Sequence, residues 1–317
     1  MEAGVQKYRA FVEAADAGSI AAAAVRMGYS VSSVSRMVAD LETGCGVRLL
    51  ERGKLGVRPT PDGERLLARA RQVVAACDGF DDEASAILGI EGGTVRIGMI
   101  SSVATHVLPS AMASFRELHP LVEFELLMGD YAEIEAWLME GRVDLGTLRL
   151  PLPKGLASRT LVRDRLMGVV PASHPLAKET RIPLEVFASE PFLALERGGV
   201  SEVAGLFEKN RIEIHPAFST WDDHAIMAMV EAGMGLAILP ELVTRRTAYK
   251  VALVTLDVSA DRDIAIAWRA SFALPAAASA FRDACAGPEG RAAMHRSGIG
   301  ESAVPLFHNL VRQDCVG

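Results

Sequence analysis

Ser30-Val31-Ser32-Ser33-Val34-Ser35-Arg36-Met37-Val38-Ala39-Asp40-Leu41-Glu42 is the stretch on which the reading of this chain turns. Ser30 suits a helix N-cap, because its hydroxyl can accept a backbone N–H left without a partner in the first turn. Val34, Val38 and Leu41 then recur at helical spacing and make one apolar stripe. Facing away from that stripe near the helix start are Ser32, Ser33, Ser35 and Arg36. Three short hydroxyls and a guanidinium that can fork onto a base or a phosphate suit a groove of DNA. The spacing predicts a helix from Ser30 to Gly46, with its amino end as the working end.

Working outward, Ser19 caps a shorter helix through Ala21 to Ala24, Val25 and Met27, which Gly28-Tyr29 stops. Alanines let two helices cross closely, as a helix-turn-helix requires if its second helix is to project. Past Gly44-Cys45-Gly46, the run Val47 to Thr60 carries Arg48, Arg52, Lys54 and Arg58 and reads as a two-stranded wing placing cations over phosphates. The net charge of −7 is misleading here, since distribution matters more than the sum. From Ala21 to Thr60 six cations, these four with Arg26 and Arg36, face three acids, Asp40, Glu42 and Glu51. A locally basic reader on an acidic body is the charge layout of a DNA-binding chain.

Gly18-Ser19, Ala23-Ala24, Ser30, Val34-Ser35-Arg36, Leu41-Glu42, Gly46, Leu49, Arg52, Thr60 and Gly63 together resemble the N-terminal signature of the LysR-type transcriptional regulators. That resemblance implies a winged helix-turn-helix whose third helix enters the major groove. The candidate DNA contacts are Ser30, Ser32, Ser33, Ser35, Arg36, Arg52 and Arg58. The sequence departs from the family pattern at Ile20 and Leu50, where phenylalanine is usual, and at Val31, where glutamine is common. The first two are apolar exchanges that repack a core. Val31 removes an amide that could read adenine, which leaves the operator preference less predictable than a typical member's.

Thr60-Pro61-Asp62-Gly63-Glu64 opens a long helix, with a Thr cap, proline in the first turn and acids at the positive dipole end. Its stripe of Leu66, Leu67, Ala70, Val73, Val74, Cys77, Phe80, Ala84 and Ile87 runs to about Leu88, longer than one small domain could cover. The resemblance implies a dimerisation and linker helix, and a two-fold pair would set two recognition helices on neighbouring half-sites. Gly89 to Gly93 reads as a hinge. Beyond it, strands alternate with helices, the rhythm of parallel sheets with crossover connections.

The expected fold class is therefore α/β behind an all-α winged head. Thr94-Val95-Arg96-Ile97-Gly98, Gly141-Arg142-Val143-Asp144-Leu145-Gly146, His174-Pro175-Leu176-Ala177 and Val230 to Pro240 resemble the effector domains of the same family. They imply a two-lobed body of periplasmic-binding-protein type with a ligand cleft. The expected boundaries are a head over 1–60, a linker over 61–91, an effector domain over 92–286 and a tail over 287–317. Lobe 1 takes about 92–163 with 268–286, and lobe 2 takes 164–267. In the first lobe we expect strands at Thr94–Ile100, Val122–Leu127 and Val143–Thr147 and helices at Ala104–Leu118 and Tyr131–Glu140. In the second, two short strands at 161–162 and 166–170 precede a helix at Ser201–Asn210 and another at Asp222–Glu231.

Ligands in open α/β sheets sit beyond the carboxyl ends of strands. Ser101-Ser102 follow the first such strand, Thr147 ends another, and Gly198-Gly199 with Ser201 follow one of the second lobe. Hydroxyls and free backbone N–H groups at a helix start favour an anion such as a carboxylate. Ser101, Ser102, Thr147, Gly198 and Ser201 are the candidate effector contacts, with Ser101 and Ser201 as plain helix caps the competing reading.

No Gly-x-Ser-x-Gly elbow, phosphate loop or complete Gly-x-Gly-x-x-Gly is present, and the histidines show no paired metal spacing, so neither catalysis, a cofactor nor a metal is expected. Asp222-Asp223-His224 reads as a helix start rather than as acid–base machinery. Cys45, Cys77, Cys285 and Cys315 are widely spaced, read as free thiols, and with the absence of an apolar leader or membrane-length run point to the cytoplasm. Double-stranded operator DNA, a small anionic effector, a second or further copies as dimer or tetramer, and RNA polymerase are the expected partners. The competing class is a cytoplasmic small-molecule binder whose first helices only dimerise it.

Overall fold

The computed structural model describes residues 4–53, 56–87, 92–197, 200–201, 203–245 and 247–286. Chain contacts divide it into two compact units, one comprising the segment up to Arg159 and that from Ala265, the other Thr160–Ile264. The expected tail beyond residue 287 and most of the expected hinge lie outside the described residues.

The head is built from α1 (Val5–Ala17), α2 (Ile20–Met27), α3 (Val31–Cys45), the hairpin β1 (Leu50–Gly53) with β2 (Gly56–Pro59), and α4 (Pro61–Ile87). Phe11, Ala14, Ala23, Ala24, Val34, Val38, Leu41 and Leu49 form its core, completed by Leu67, Ala70 and Val74 from α4. Each large aliphatic buried there contributes about 1.5–3 kcal/mol. Leu50 is buried in this core and Ile20 is partly buried against it, so both exchanges for phenylalanine fall at core positions. The turn between α2 and α3 needs Gly28, whose φ of 68° is left-handed. The hairpin docks on the end of α1, where the Val57 N–H donates to the Gly18 carbonyl at 2.9 Å. A Cβ on Gly56 would stand 2.2 Å from that same oxygen, so only glycine allows the approach.

The long helix splits its apolar stripe in two. Leu67, Ala70 and Val74 are buried in the head, whereas Leu66, Val73 and Phe80, seven residues apart, are exposed at 37%, 38% and 74%.

In the rest of this unit come β3 (Gly92–Met99), α5 (Ser101–His106), α6 (Leu108–Leu118), β4 (Leu121–Met128), α7 (Tyr131–Glu140), β5 (Leu145–Arg149) and the start of β6 (Leu156–Pro171). β3 lies between β5 and β4 and runs parallel to both, so the βαβ rhythm was read correctly. One helix was expected from Ala104 to Leu118, yet two are found. Val107, at φ −108°, still donates to the Val103 carbonyl and ends α5, and Pro109 in the first turn of α6 has no N–H with which to continue that ladder. Asp130 and Glu133 cap α7 reciprocally, each side chain accepting the other's backbone N–H at 2.9 Å.

Thr160–Ile264 holds the remainder of β6, β7 (Arg181–Ile182), α8 (Val186–Ser189), β8 (Phe192–Arg197), β9 (Val200–Ser201), α9 (Ala204–Lys209), β10 (Pro216–Thr220), α10 (Asp223–Glu231), β11 (Leu236–Pro240), α11 (Glu241–Thr244) and β12 (Val251–Leu256). Then β13 (Asp261–Arg269) and α12 (Ala276–Ala286) return the chain to the first unit. The strand order is β10-β8-β11-β6, with β10, β8 and β11 parallel and β6 antiparallel to β11 and β12. Phe187, Phe192, Phe207 and Ile238 are at its core.

Two short strands were expected between residues 161 and 170. The structure has one strand, β6, from Leu156 to Pro171. Arg163-Asp164-Arg165 looks like an interruption, but Asp164 is a buried strand residue. It accepts from the Arg262 guanidinium at 2.7 and 2.9 Å and from the Leu242 N–H at 2.9 Å. The chain crosses between units at Arg159–Thr160 and Ile264–Ala265, a few residues before the expected boundaries. No described helix is long and apolar enough to cross a membrane.

Candidate functional site

The candidate DNA contacts gather at the amino end of α3 and on the wing. Ser30 has extended backbone and its hydroxyl accepts the Ser33 N–H at 3.1 Å, so Ser30 is the cap itself. Its Oγ also lies 2.9 Å from that of Ser32 and 2.8 Å from that of Ser33, which ties three hydroxyls into one cluster. Ser32 and Arg36 are exposed, Ser33 and Ser35 half-buried, while Val34, Val38 and Leu41 point into the core. Val31 is 52% exposed at the helix start, an apolar group on the working face.

The wing stands beside this face. Glu51 pairs with Arg58 and Arg52 with Val57 across the hairpin, and both arginines are exposed. Arg52 donates from Nη2 to Ser35 Oγ at 2.8 Å, which joins a wing cation to the recognition helix. Lys54 lies outside the described residues. Arg26, counted above among the basic residues of the reader, lies 3.5 Å from Glu13 with 57% of its side chain exposed. Glu42 was read as an acid of the reader and as part of the Leu41-Glu42 signature. Its Oε1 accepts the N–H groups of Leu49 (2.8 Å) and Leu50 (3.1 Å) and so fixes where the wing leaves α3.

In the first α/β unit, the buried Thr147 at the end of β5 accepts the Ile100 N–H at 3.1 Å through Oγ1. Ile100 immediately precedes Ser101 and Ser102, so the structure brings these three candidate effector residues together. Ser101 is exposed and Ser102 is buried. The N-cap of α5 is Ile100 with no side-chain cap, so Ser101 is not the plain cap of the competing reading.

In the other unit, Ser201 was expected at the start of a helix. It sits instead in β9, paired with Glu196 of β8, and its hydroxyl accepts the Val203 N–H at 3.3 Å. The helix starts later, at Ala204. Gly198 lies outside the described residues. Asp222 caps α10 by accepting the Ala225 N–H at 3.1 Å, and Asp223 accepts the His224 N–H at 3.0 Å, as helix-start acids.

A helix-turn-helix with a basic wing, followed by an α/β body through which β6 and β13 run, is the arrangement of a DNA-binding regulator with a separate binding body. Residues 5–64 match the model for bacterial regulatory helix-turn-helix proteins of the lysR family, and residues 89–287 match the LysR substrate binding domain. The chain is 34% identical over 272 residues to the probable HTH-type transcriptional regulator LrrA of Synechococcus elongatus, covering 84% of this chain and 91% of that one. It is 30% identical over 242 residues to the transcriptional dual regulator GltC of Bacillus subtilis, covering 75% and 80%.

Among solved structures, a cysteine-to-aspartate variant of full-length OxyR from Pseudomonas aeruginosa superposes with a TM-score of 0.76 at 23% identity, covering 90% and 95% of the two chains. Full-length CbnR in complex with its target DNA gives 0.62 at 24% identity over 94% and 100%. At these identities the likeness is one of fold. The chain belongs to the LysR family of transcriptional regulators and carries its DNA-binding head and its effector-binding domain.

Proposed function

We propose that this regulator binds a partly palindromic operator as a dimer, or a dimer of dimers, and that a small anionic effector held by its body changes how the paired heads meet DNA. The observation that carries the DNA half is the continuous polar face of Ser32, Ser33, Ser35 and Arg36, extended by Arg52. Arg36 is the base reader in this reading, Arg52 and Arg58 ride on phosphates, and Val31 lies against a thymine methyl where related chains place an amide. The exposed seam of Leu66, Val73 and Phe80 supports pairing through α4, since a seven-residue repeat on one helix face fits a second copy of the same helix. Two heads then address half-sites one or more helical turns apart.

The effector half rests on Ser101, Ser102 and Thr147, gathered at the carboxyl ends of β3 and β5; Gly198 and Ser201 are the effector candidates that the sequence offers in the other unit. A carboxylate suits those hydroxyls beside the start of α5. The ligand shifts the heads only by as much as its affinities for the two arrangements differ. A thiol sensor is disfavoured: no cysteine falls between Cys77 and Cys285, and Cys285 is buried. RNA polymerase is the remaining partner of this reading, and the cytoplasm its compartment.

The test is a gel shift on the DNA flanking the protein's own gene, with and without candidate carboxylates. Arg36→Ala should cost about 1–3 kcal/mol on the specific site and much less on random DNA. Ser101→Ala should weaken the response to effector while leaving basal DNA affinity nearly unchanged. A protein indifferent to sequence would instead be a small-molecule binder, a reading the head's family match disfavours.

A further inference from the structure

The head keeps its large apolar side chains inside, with exceptions confined to one short stretch. Among the described residues up to Thr60, those left exposed are Val25, Tyr29 and Val31, at 83%, 44% and 52%. Single exposed apolar groups are ordinary, whereas several together mark a surface that something covers. Tyr29 and Val31 stand on either side of Ser30, the cap of α3, so one precedes the recognition helix and the other begins it. Val25 lies on α2, outside the helix end that enters the groove when this motif docks.

Neither the core nor helix propensity calls for Val31. Val34, Val38 and Leu41 already supply the buried stripe of α3, and a β-branched residue is a weak helix former. The backbone around the pair is held firmly. The Gly28 N–H donates to the Val25 carbonyl at 3.3 Å and the Tyr29 N–H to the Ala24 carbonyl at 3.0 Å, the two bonds that close a helix on a left-handed glycine. One residue on, the Ser30 hydroxyl holds the Ser33 N–H at 3.1 Å. Tyr29 therefore sits on a locked turn, and branching at Cβ restricts Val31 in the helix. Both present apolar surface that has little conformational entropy to lose on contact.

We propose that Tyr29 is a further specificity-determining residue of the DNA reader, and that Tyr29 and Val31 together select the 5-methyl groups of two thymines in each half-site. The inference rests on the docking of α3 proposed above. In the major groove thymine alone presents a methyl group, and an apolar side chain against it removes water from both surfaces. Cytosine at the same place offers no methyl to cover. The serines and Arg36 then read hydrogen-bonding edges beside an apolar patch, so the operator is chosen by methyl pattern as well as by donors and acceptors.

Replacing thymine by uracil removes only that methyl, which makes it the probe. The full-length protein is footprinted on the DNA flanking its own gene, and each thymine of a half-site is then replaced by uracil in a synthetic duplex and compared by gel shift. At two positions uracil should weaken binding about fourfold each, the factor carried by one buried methyl group. Tyr29→Ser should bring the thymine-to-uracil ratio to about one at one of them, and Val31→Ser at the other. Tyr29→Phe, which keeps the ring, and Val25→Ala should preserve both ratios. Because each ratio compares two duplexes with the same protein, a loss of folded protein does not move it. Uracil tolerated throughout an operator that is still bound specifically overturns this inference alone. So does a ratio that survives Tyr29→Ser or Val31→Ser at every thymine, or one that Val25→Ala abolishes. A wild-type protein with no preference for any sequence would overturn the docking of α3 as well.

Discussion

Arg52 of the wing donates a hydrogen bond from Nη2 to Oγ of Ser35, 2.8 Å away and seventeen residues earlier in the chain. The bond holds a wing cation beside α3, so in the proposed reading a phosphate contact and the base contacts share one orientation. If that holds on DNA, Ser35→Ala and Arg52→Ala are coupled. A double-mutant cycle in operator binding should give about 0.5–1.5 kcal/mol of interaction. Arg52→Ala should also reduce the salt slope by about one counterion, and Ser35→Ala should leave it unchanged. Strict additivity would mean that the two act separately on DNA.

Glu42 holds two backbone N–H groups with one carboxylate oxygen. Glu42→Ala leaves both without that acceptor at the base of the wing and should cost about 2 kcal/mol. The measurement is hydrogen exchange, with the Leu49 and Leu50 amides exchanging roughly thirty-fold faster while α10 in the other unit is unaffected. Unchanged protection would show that water replaces the carboxylate at no cost.

Phe80 is 74% exposed on the face of α4 that also carries Val73 and Leu66. If that face pairs with a second copy, Phe80→Glu loses two buried aromatic rings per dimer, about 3 kcal/mol or more, which is over a hundredfold in the dimer constant. Sedimentation velocity should then show monomer at micromolar protein, with operator affinity falling in parallel. A dimer that persists unchanged would place the pairing surface elsewhere.

Burial pushes the Cys285 thiol up from its ordinary 9.0 to about 12, whereas Cys45 and Cys77 are half-buried. A neutral thiol is a poor nucleophile, so iodoacetamide should leave Cys285 unmodified in the native protein and label it only after denaturation. The sign of the pH dependence follows. Below pH 9 the thiol is neutral in both states, and between about 9 and 12 only the unfolded chain ionises it, so its contribution to stability is lost as pH rises through that window. Rapid native labelling of Cys285 would contradict its burial.

The head was legible in the sequence because its determinants are local. Ser19 and Ser30 as caps, Gly28 as the turn and the Val34-Val38-Leu41 stripe each act over one or two helical turns, and these residues take the expected places. The βα rhythm was legible for the same reason, since each strand and helix carries its own period. Where side chains from distant segments decide the outcome, the reading went astray. Asp164 looks like a strand breaker until Arg262, ninety-eight residues later, is placed against it. Ser201 looks like a helix cap until β9 pairs with β8.

By itself, then, the order of residues determined that a winged reader precedes a βα body and which face of α3 is polar, because backbone hydrogen bonding and hydrophobic periodicity are short-range rules. Only the tertiary structure decided that Arg52 bonds to Ser35, that Thr147 meets the start of α5, and that one side of the linker stripe is already buried. Each of these depends on groups far apart in the chain arriving within hydrogen-bonding or packing distance, and local propensity holds no record of such distances.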